Sequence, residues 1–226
     1  MYQPDILIKS FLVSVSKSPL LGESQDLLKY KVCDFNDYSN NFDEIDFDIL
    51  AKYKVNNLGF GVAKNIKLTW RFDVPKAIKL IKKTLPNNYQ FSWYQDLNTY
   101  FFNNLEDSNF HYSANANFNY QEIDYLSPIN IKDHSHLHSI PEIIIYTHYL
   151  FLLFKSGLNE EVDEAFHVFE FSEHKFPSPL LQVEYSDLNG KKYRSKYKFK
   201  LTAVNMQNEE VKDLTKEFAY LGFHLI

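Results

Sequence analysis

Apolar and polar residues alternate on both sides of the loop Asn57-Leu58-Gly59-Phe60-Gly61. Before it, Ile45, Phe47, Ile49, Ala51, Tyr53 and Val55 share one parity, while Asp46, Asp48, Lys52, Lys54 and Asn56 share the other. After it, Val62, Ile66, Leu68, Trp70 and Phe72 alternate with Asn65, Lys67, Thr69 and Arg71. A period of two places successive side chains on opposite faces, so each run predicts a half-buried strand. A local connection predicts that the two strands are antiparallel.

The same alternation near the C-terminus predicts a hairpin. Leu181, Val183 and Tyr185 lead to the turn Ser186-Asp187-Leu188-Asn189-Gly190, beyond which Tyr193, Tyr197, Phe199 and Leu201 face away from Lys192, Arg194, Lys196, Lys198 and Lys200. A type I turn at Leu188 and Asn189 with Gly190 left-handed pairs Asp187 with Lys191 and Tyr185 with Tyr193. Glu184 then faces Arg194.

Two more strands are expected at Asp5 to Val15 and Leu27 to Phe35. Asp73 is placed to cap a helix from Val74 to Leu85, with Pro75 in its first turn and Pro86 at its end. Ser139 with Glu142 three residues on forms a capping-box pattern ahead of the apolar run Ile140 to Phe154. Asn208 is placed to cap a last helix, about residues 208–221, carrying Val211, Leu214, Phe218 and Leu221 and stopped by Gly222. Residues 87–135, rich in Asn, Tyr and Phe, show no clean period.

These elements describe a single domain over residues 1–226. The expected fold is mainly β with additional helices: an immunoglobulin-like antiparallel β-sandwich with a core from about 3–72 and 180–203. A mixed helical and irregular insert is expected over about 73–179.

The string Asn57-x-Gly59-x-Gly61-x-Ala63-x-Asn65-Ile66 resembles the strand-loop-strand of immunoglobulin-like bacterial modules, including cell-adhesion-related (CARDB-like) sandwiches. Tyr185-x-Asp187-x-x-Gly190 resembles the closing hairpin of bacterial proteins with the same glycine loop. The motifs cover about 60 residues of the 226 and imply architecture, with Asn57, Gly59, Gly61, Ala63, Asn65, Asp187 and Gly190 as structural loop residues. Glycine permits positive φ, Ala63 leaves room for close approach, and asparagine hydrogen-bonds loop backbone. In those relatives the domain often follows one or two N-terminal transmembrane helices; a second alternative function is the soluble part of a membrane-associated or defence-related assembly.

Composition narrows the classes. The 226 residues are 45 % hydrophobic and 17 % aromatic, with a net charge of −5, which excludes disorder and supplies a dense core. One cysteine excludes an internal disulfide. Cys33 falls on an expected strand, where a small half-buried thiol is the ordinary reading. The start of the chain has no basic and apolar leader pattern, and the run at 140–154 is shorter than the ~20 residues that span a bilayer, so the expected address is the cytoplasm.

Chemistry-bearing motifs are sparse. Asp133, His134, His136 and His138, with Glu142 and His148 nearby, are the most concentrated ligand set, and alternate histidines on an extended segment share a side. His136-x-His138 with Glu142 resembles part of a cupin metal motif, but Asn130 and Tyr149 stand where its glycines would be. The competing reading is a polar surface loop. Gly59-x-Gly61 lacks a third glycine and enters a strand, and no P-loop, G-x-S-x-G or H-E-x-x-H string occurs, so no cofactor and no catalytic residue is expected. Asp46 and Asp48 read as a solvated strand face. The lysines from Lys192 to Lys200 read as a guarded or solvated face more readily than a nucleic-acid track, because their neighbouring aromatics fall on the opposite side. Trp70 is expected in the core; Trp93 and Tyr94 are read as core in preference to an interaction anchor.

The expected function is a non-catalytic binding or protein-interaction module whose partner is another protein. The alternative is a metal-binding protein or metal-dependent enzyme using His134, His136 and His138. Nucleic acid is not expected as a partner; peripheral membrane association is a further option.

Overall fold

The computed structural model describes residues 3–19, 26–34, 50–94, 96, 98–105, 111–115, 121–129, 135–155, 167–205 and 218–226. In chain order they form β1 (Ile6–Leu7), β2 (Phe11–Pro19), β3 (Asp26–Asp34), β4 (Lys52–Asn57), β5 (Ala63–Arg71) and α1 (Val74–Ile81). Then come β6 (Tyr89–Tyr94), β7 (Thr99–Asn104), β8 (His111–Asn115), β9 (Gln121–Leu126), β10 (His136–Ser139) and α2 (Glu142–Lys155). The chain continues through β11 (His167–Glu170), a 3-10 turn at Phe171–His174, β12 (Leu180–Ser186), β13 (Lys192–Asn205) and β14 (Phe218–Leu225). The fold is thus mainly antiparallel β, with two α-helices among the described residues.

The strands form an eight-stranded sheet in the order β3-β2-β14-β13-β12-β5-β9, with β11 also on β13, and two three-stranded sheets, β1-β4-β10 and β6-β7-β8. The alternation around the glycine loop does make strands, with Tyr53, Val55, Ile66, Leu68 and Trp70 buried. They do not pair with each other: β4 belongs to the small sheet and β5 to the large one, so the loop between them crosses from one sheet to the other. Tyr53 packs edge-on against Trp70 at 5.7 Å and stacks on Phe11 at 5.5 Å. Residues 45–49 of the first expected strand lie outside the described residues.

The hairpin register is as the turn chemistry predicts. Tyr185 pairs with Tyr193 and Glu184 with Arg194, and Gly190 has φ +81°. Asp187 Oδ1 accepts the amides of Asn189 and Lys191, each at 2.9 Å, while its backbone N–H donates to the Lys191 carbonyl at 3.0 Å.

Helix α1 starts where Asp73 Oδ1 accepts from the Lys76 amide at 3.0 Å and buries Val74, Ala77, Ile78 and Ile81. Helix α2 is apolar all round, as a core helix must be: residues 143–152 are buried. The expected Ser139 cap is instead the end of β10, and its hydroxyl accepts from Gln121 Nε2 at 2.8 Å.

Three expectations are corrected. The segment Asp5 to Val15 is split between β1 and β2, which lie in different sheets. The stretch expected as an insert supplies β9 and β11 to the large sheet and β10 to the small one, besides the meander β6-β7-β8. In place of the C-terminal part of the last helix, Phe218–Leu225 is a strand between β13 and β2; residues 206–217 are outside the described set. Leu221, Gly222 and Phe223 are consecutively buried, because this central strand is covered on both faces and has no polar parity.

Candidate binding face

The outward positions of β5, β12 and β13 build a strongly charged surface. Ladder pairing sets Lys67, Glu184 and Arg194 in one row, Thr69, Gln182 and Lys196 in the next, and Arg71, Leu180 and Lys198 in the third. The aromatic positions of β13 turn inward: Tyr185 stacks on Tyr193 at 5.2 Å, and Phe199 lies in the core. Gln182 is buried beneath the charges. Its Oε1 accepts from Arg194 at 2.6 Å and its Nε2 donates to Glu184 at 2.9 Å. Arg194 Nε is also 3.4 Å from Glu184, and Lys67 Nζ is 3.7 Å from Glu122 on β9. Lys200 pairs with Glu170 at 2.8 Å, which holds the exposed carboxyl below its ordinary pKa.

An open groove of about 720 Å³ runs along this face. It is lined by Lys67, Lys192 and Arg194 and by Glu122, Asp124 and Glu184, with Asn65, Tyr185 and Tyr193 between them. Asn65 creates the local relief. It adopts φ +50°, a left-handed conformation that asparagine tolerates, and the β5–β12 register shifts beside it as at a bulge.

The predicted loop residues assemble behind one end of the groove. Asn57 is fully buried: Oδ1 accepts from the amides of Asp5 (3.0 Å) and Gly59 (3.1 Å), and Nδ2 donates to the carbonyls of Gly61 (2.7 Å) and Leu126 (2.9 Å). The requirement at Gly59 is space, since a Cβ there would lie 2.3 Å from the Gln3 carbonyl oxygen and 2.4 Å from the Asp5 nitrogen. Ala63 is buried where β5 meets β9. The hydroxyls of Tyr185 and Tyr197 donate to the carbonyls of Pro4 (3.5 Å) and Ile6, pinning the N-terminal segment beneath the hairpin. Burial pushes the Tyr197 phenol up to about 12.

His136 is exposed on β10, whereas His138 is buried and faces Tyr53, with ring centroids 6.3 Å apart. Gln121 donates its amide to Ser139, so its Oε1 is left to accept from His138 Nδ1 at 2.5 Å; this fixes the neutral tautomer. Burial, aided by the charge of His136, pushes His138 down to about 4. His148 is buried on α2 among Phe72, Phe171 and Phe176. His134, Asp46 and Asp48, and the side chain of Cys33, lie outside the described set. Among the described residues no three His, Cys, Asp or Glu side chains are grouped to hold a metal ion.

Trp93 and Tyr94 depart from their expected core placement. They are 43 % and 54 % exposed at the end of β6, where Trp93 packs against Tyr100 at 4.2 Å and Tyr94 against Phe101 at 4.9 Å. The groove itself escapes sequence reasoning, because its opposite charges come from four strands and the bulge that opens it is one asparagine. No described helix is long and apolar enough to cross a membrane. Comparison with protein-family models, curated proteins and solved structures yields no match.

Proposed function

We propose that the protein is a non-catalytic binding module that engages another protein through the groove on β5, β12, β13 and β9. The observation that carries this reading is the alternation of sign along the groove: Lys67, Lys192 and Arg194 oppose Glu122, Asp124 and Glu184. A uniformly anionic polymer would meet repulsion from the three carboxylates, whereas a protein surface can match both signs. The packing of Tyr53 on Phe11 and Trp70 supports reading the two sheets as an immunoglobulin-like sandwich, a scaffold compatible with many functions.

A photo-crosslinking residue placed at position 192 in cells tests the proposal. One adduct of defined mass is expected, abolished by R194E together with K67E and absent when the crosslinker is moved to Lys79 on α1. No adduct, or the same adduct from both positions, would overturn the reading.

A further inference from the structure

Four of the six charges that line the groove are neutralised within the chain. Lys67 Nζ lies 3.7 Å from Glu122, and Arg194 Nε lies 3.4 Å from Glu184. The other two, Asp124 on β9 and Lys192 on β13, are exposed, and their side chains have no ion-pair or hydrogen-bond partner among the described residues.

These two stand at opposite ends of one row across the sheet. Asp124 lies between Ile123, which pairs with Ile66, and Tyr125, which pairs with Lys64, so its neighbour on β5 is Asn65. Ser186 pairs with Lys64 on one side and with Lys192 on the other. The row therefore runs Asp124, Asn65, Ser186, Lys192, with short neutral side chains in the middle and opposite charges at its ends. Strands β9, β5, β12 and β13 are consecutive in the sheet, and three steps of about 4.8 Å separate the ends by roughly 14 Å. Ile123 and Tyr185 are buried beneath the row, and the Ser186 hydroxyl is turned to the Lys64 carbonyl at 3.3 Å. The other charges at this end of the sheet, Lys64, Lys191, Asp5 and Asp187, do not line the groove.

Resting on the groove reading above, we infer that the occupant is an extended segment of the partner protein whose basic and acidic side chains, about four residues apart, meet Asp124 and Lys192 respectively. The span selects the conformation. An extended chain rises about 3.4 Å per residue and repeats its faces every second residue, so positions i and i+4 share a face at roughly 14 Å. In a helix the same two positions are only about 6 Å apart. The two charges of a free amino acid flank a single carbon and reach only one end of the row. A diamine or a diacid matches one end and is repelled by the other. The short side chains of Asn65 and Ser186 leave the middle of the row open for backbone, and the exposed Asn65 amide has no hydrogen-bond partner among the described residues, so it is free to bond a peptide group.

Selection of a random-peptide display library on the purified full chain provides the test. Among the bound peptides, a Lys or Arg about four positions from an Asp or Glu is expected at least about threefold above its frequency in the starting library. D124K should shift the selected pair to two acidic residues and K192E to two basic ones, while K79E, altering an exposed residue of α1, should select as the parent does. Thermal melts establish that each variant is folded. Absence of enrichment, enrichment of peptides lacking the spaced pair, or a pair that neither D124K nor K192E alters would overturn the inference. If the crosslinked adduct from position 192 forms all the same, the groove reading stands without it; absence of both adduct and enrichment would overturn the two together.

Discussion

Asn57 Nδ2 donates to the carbonyl of Leu126 at 2.9 Å, joining residues 69 positions apart in a fully buried contact. The same side chain holds the Asp5 and Gly59 amides and the Gly61 carbonyl, so all four of its hydrogen-bonding capacities are used. Replacement by Ala leaves several buried partners unsatisfied, each costing ~1–3 kcal/mol. N57A should therefore lose about 3 kcal/mol or more in urea denaturation; a loss under about 1 kcal/mol would show that water substitutes for the side chain.

Gly59 and Gly190 should respond differently to alanine. At Gly59 the new methyl meets the backbone of Gln3, Pro4 and Asp5 within 2.6 Å, an overpacking expected to cost ~1–3 kcal/mol and to loosen the N-terminal segment. At Gly190 nothing lies within 4 Å, and only φ +81° opposes a side chain, at ~1–2 kcal/mol. Protease sensitivity near residues 3–8 should rise in G59A and stay unchanged in G190A.

His148 makes stability depend on acid. Its Nδ1 donates to the Ile144 carbonyl at 2.6 Å, Nε2 is buried without a hydrogen-bond partner, and burial pushes the imidazole down to about 4. Between pH 6.5 and 4 the unfolded chain takes up a proton that the folded one refuses, so stability falls with pH across that window, by about 3 kcal/mol from this group. His138, also lowered to about 4, acts in the same direction. H148F should flatten the stability–pH curve between pH 6.5 and 4 relative to the parent; an unchanged slope would mean that the folded chain protonates His148.

The Glu184–Arg194 pair stabilises little despite its contact of 3.4 Å, because the two side chains are 46 % and 55 % exposed. A double-mutant cycle with alanine should return ~0.2–1 kcal/mol, falling with added salt. A larger coupling would implicate the buried Gln182 amide that both groups touch.

The legible parts of the fold are those whose determinants are local. The 180–201 hairpin was readable down to register, because Asp187 and Gly190 specify the turn and the period of two specifies the faces. The start of helix α1 was readable from Asp73 and Pro75, but its end was not: it falls at Ile81 and not at the expected Leu85. The separation of β4 from β5 was not, because the loop is held by Gln3, Asp5 and Leu126, which are distant in sequence. Strand β14 was hidden because burial on both faces erases alternation, while Phe218 and Leu221 mimic a helical step. The meander β6-β7-β8 was hidden among polar residues, its buried side marked chiefly by Phe91, Phe102 and Ala114. Of the candidate histidines, spacing alone could not reveal that Gln121 draws His138 inward while His136 remains outside.

The position of β14 orders events in time. It is the bridge between β2 and β13, so the β2–β3 hairpin has no place in the large sheet until residues 218–225 have left the ribosome. Completion of the sheet therefore waits for Phe218–Leu225, and closing contacts between residues about 200 positions apart, such as Phe11 with Phe223, makes it slow relative to a local hairpin. Until then β2 and β13 each expose an unpaired edge, and a nascent chain stopped before Phe218 is a natural client for a chaperone.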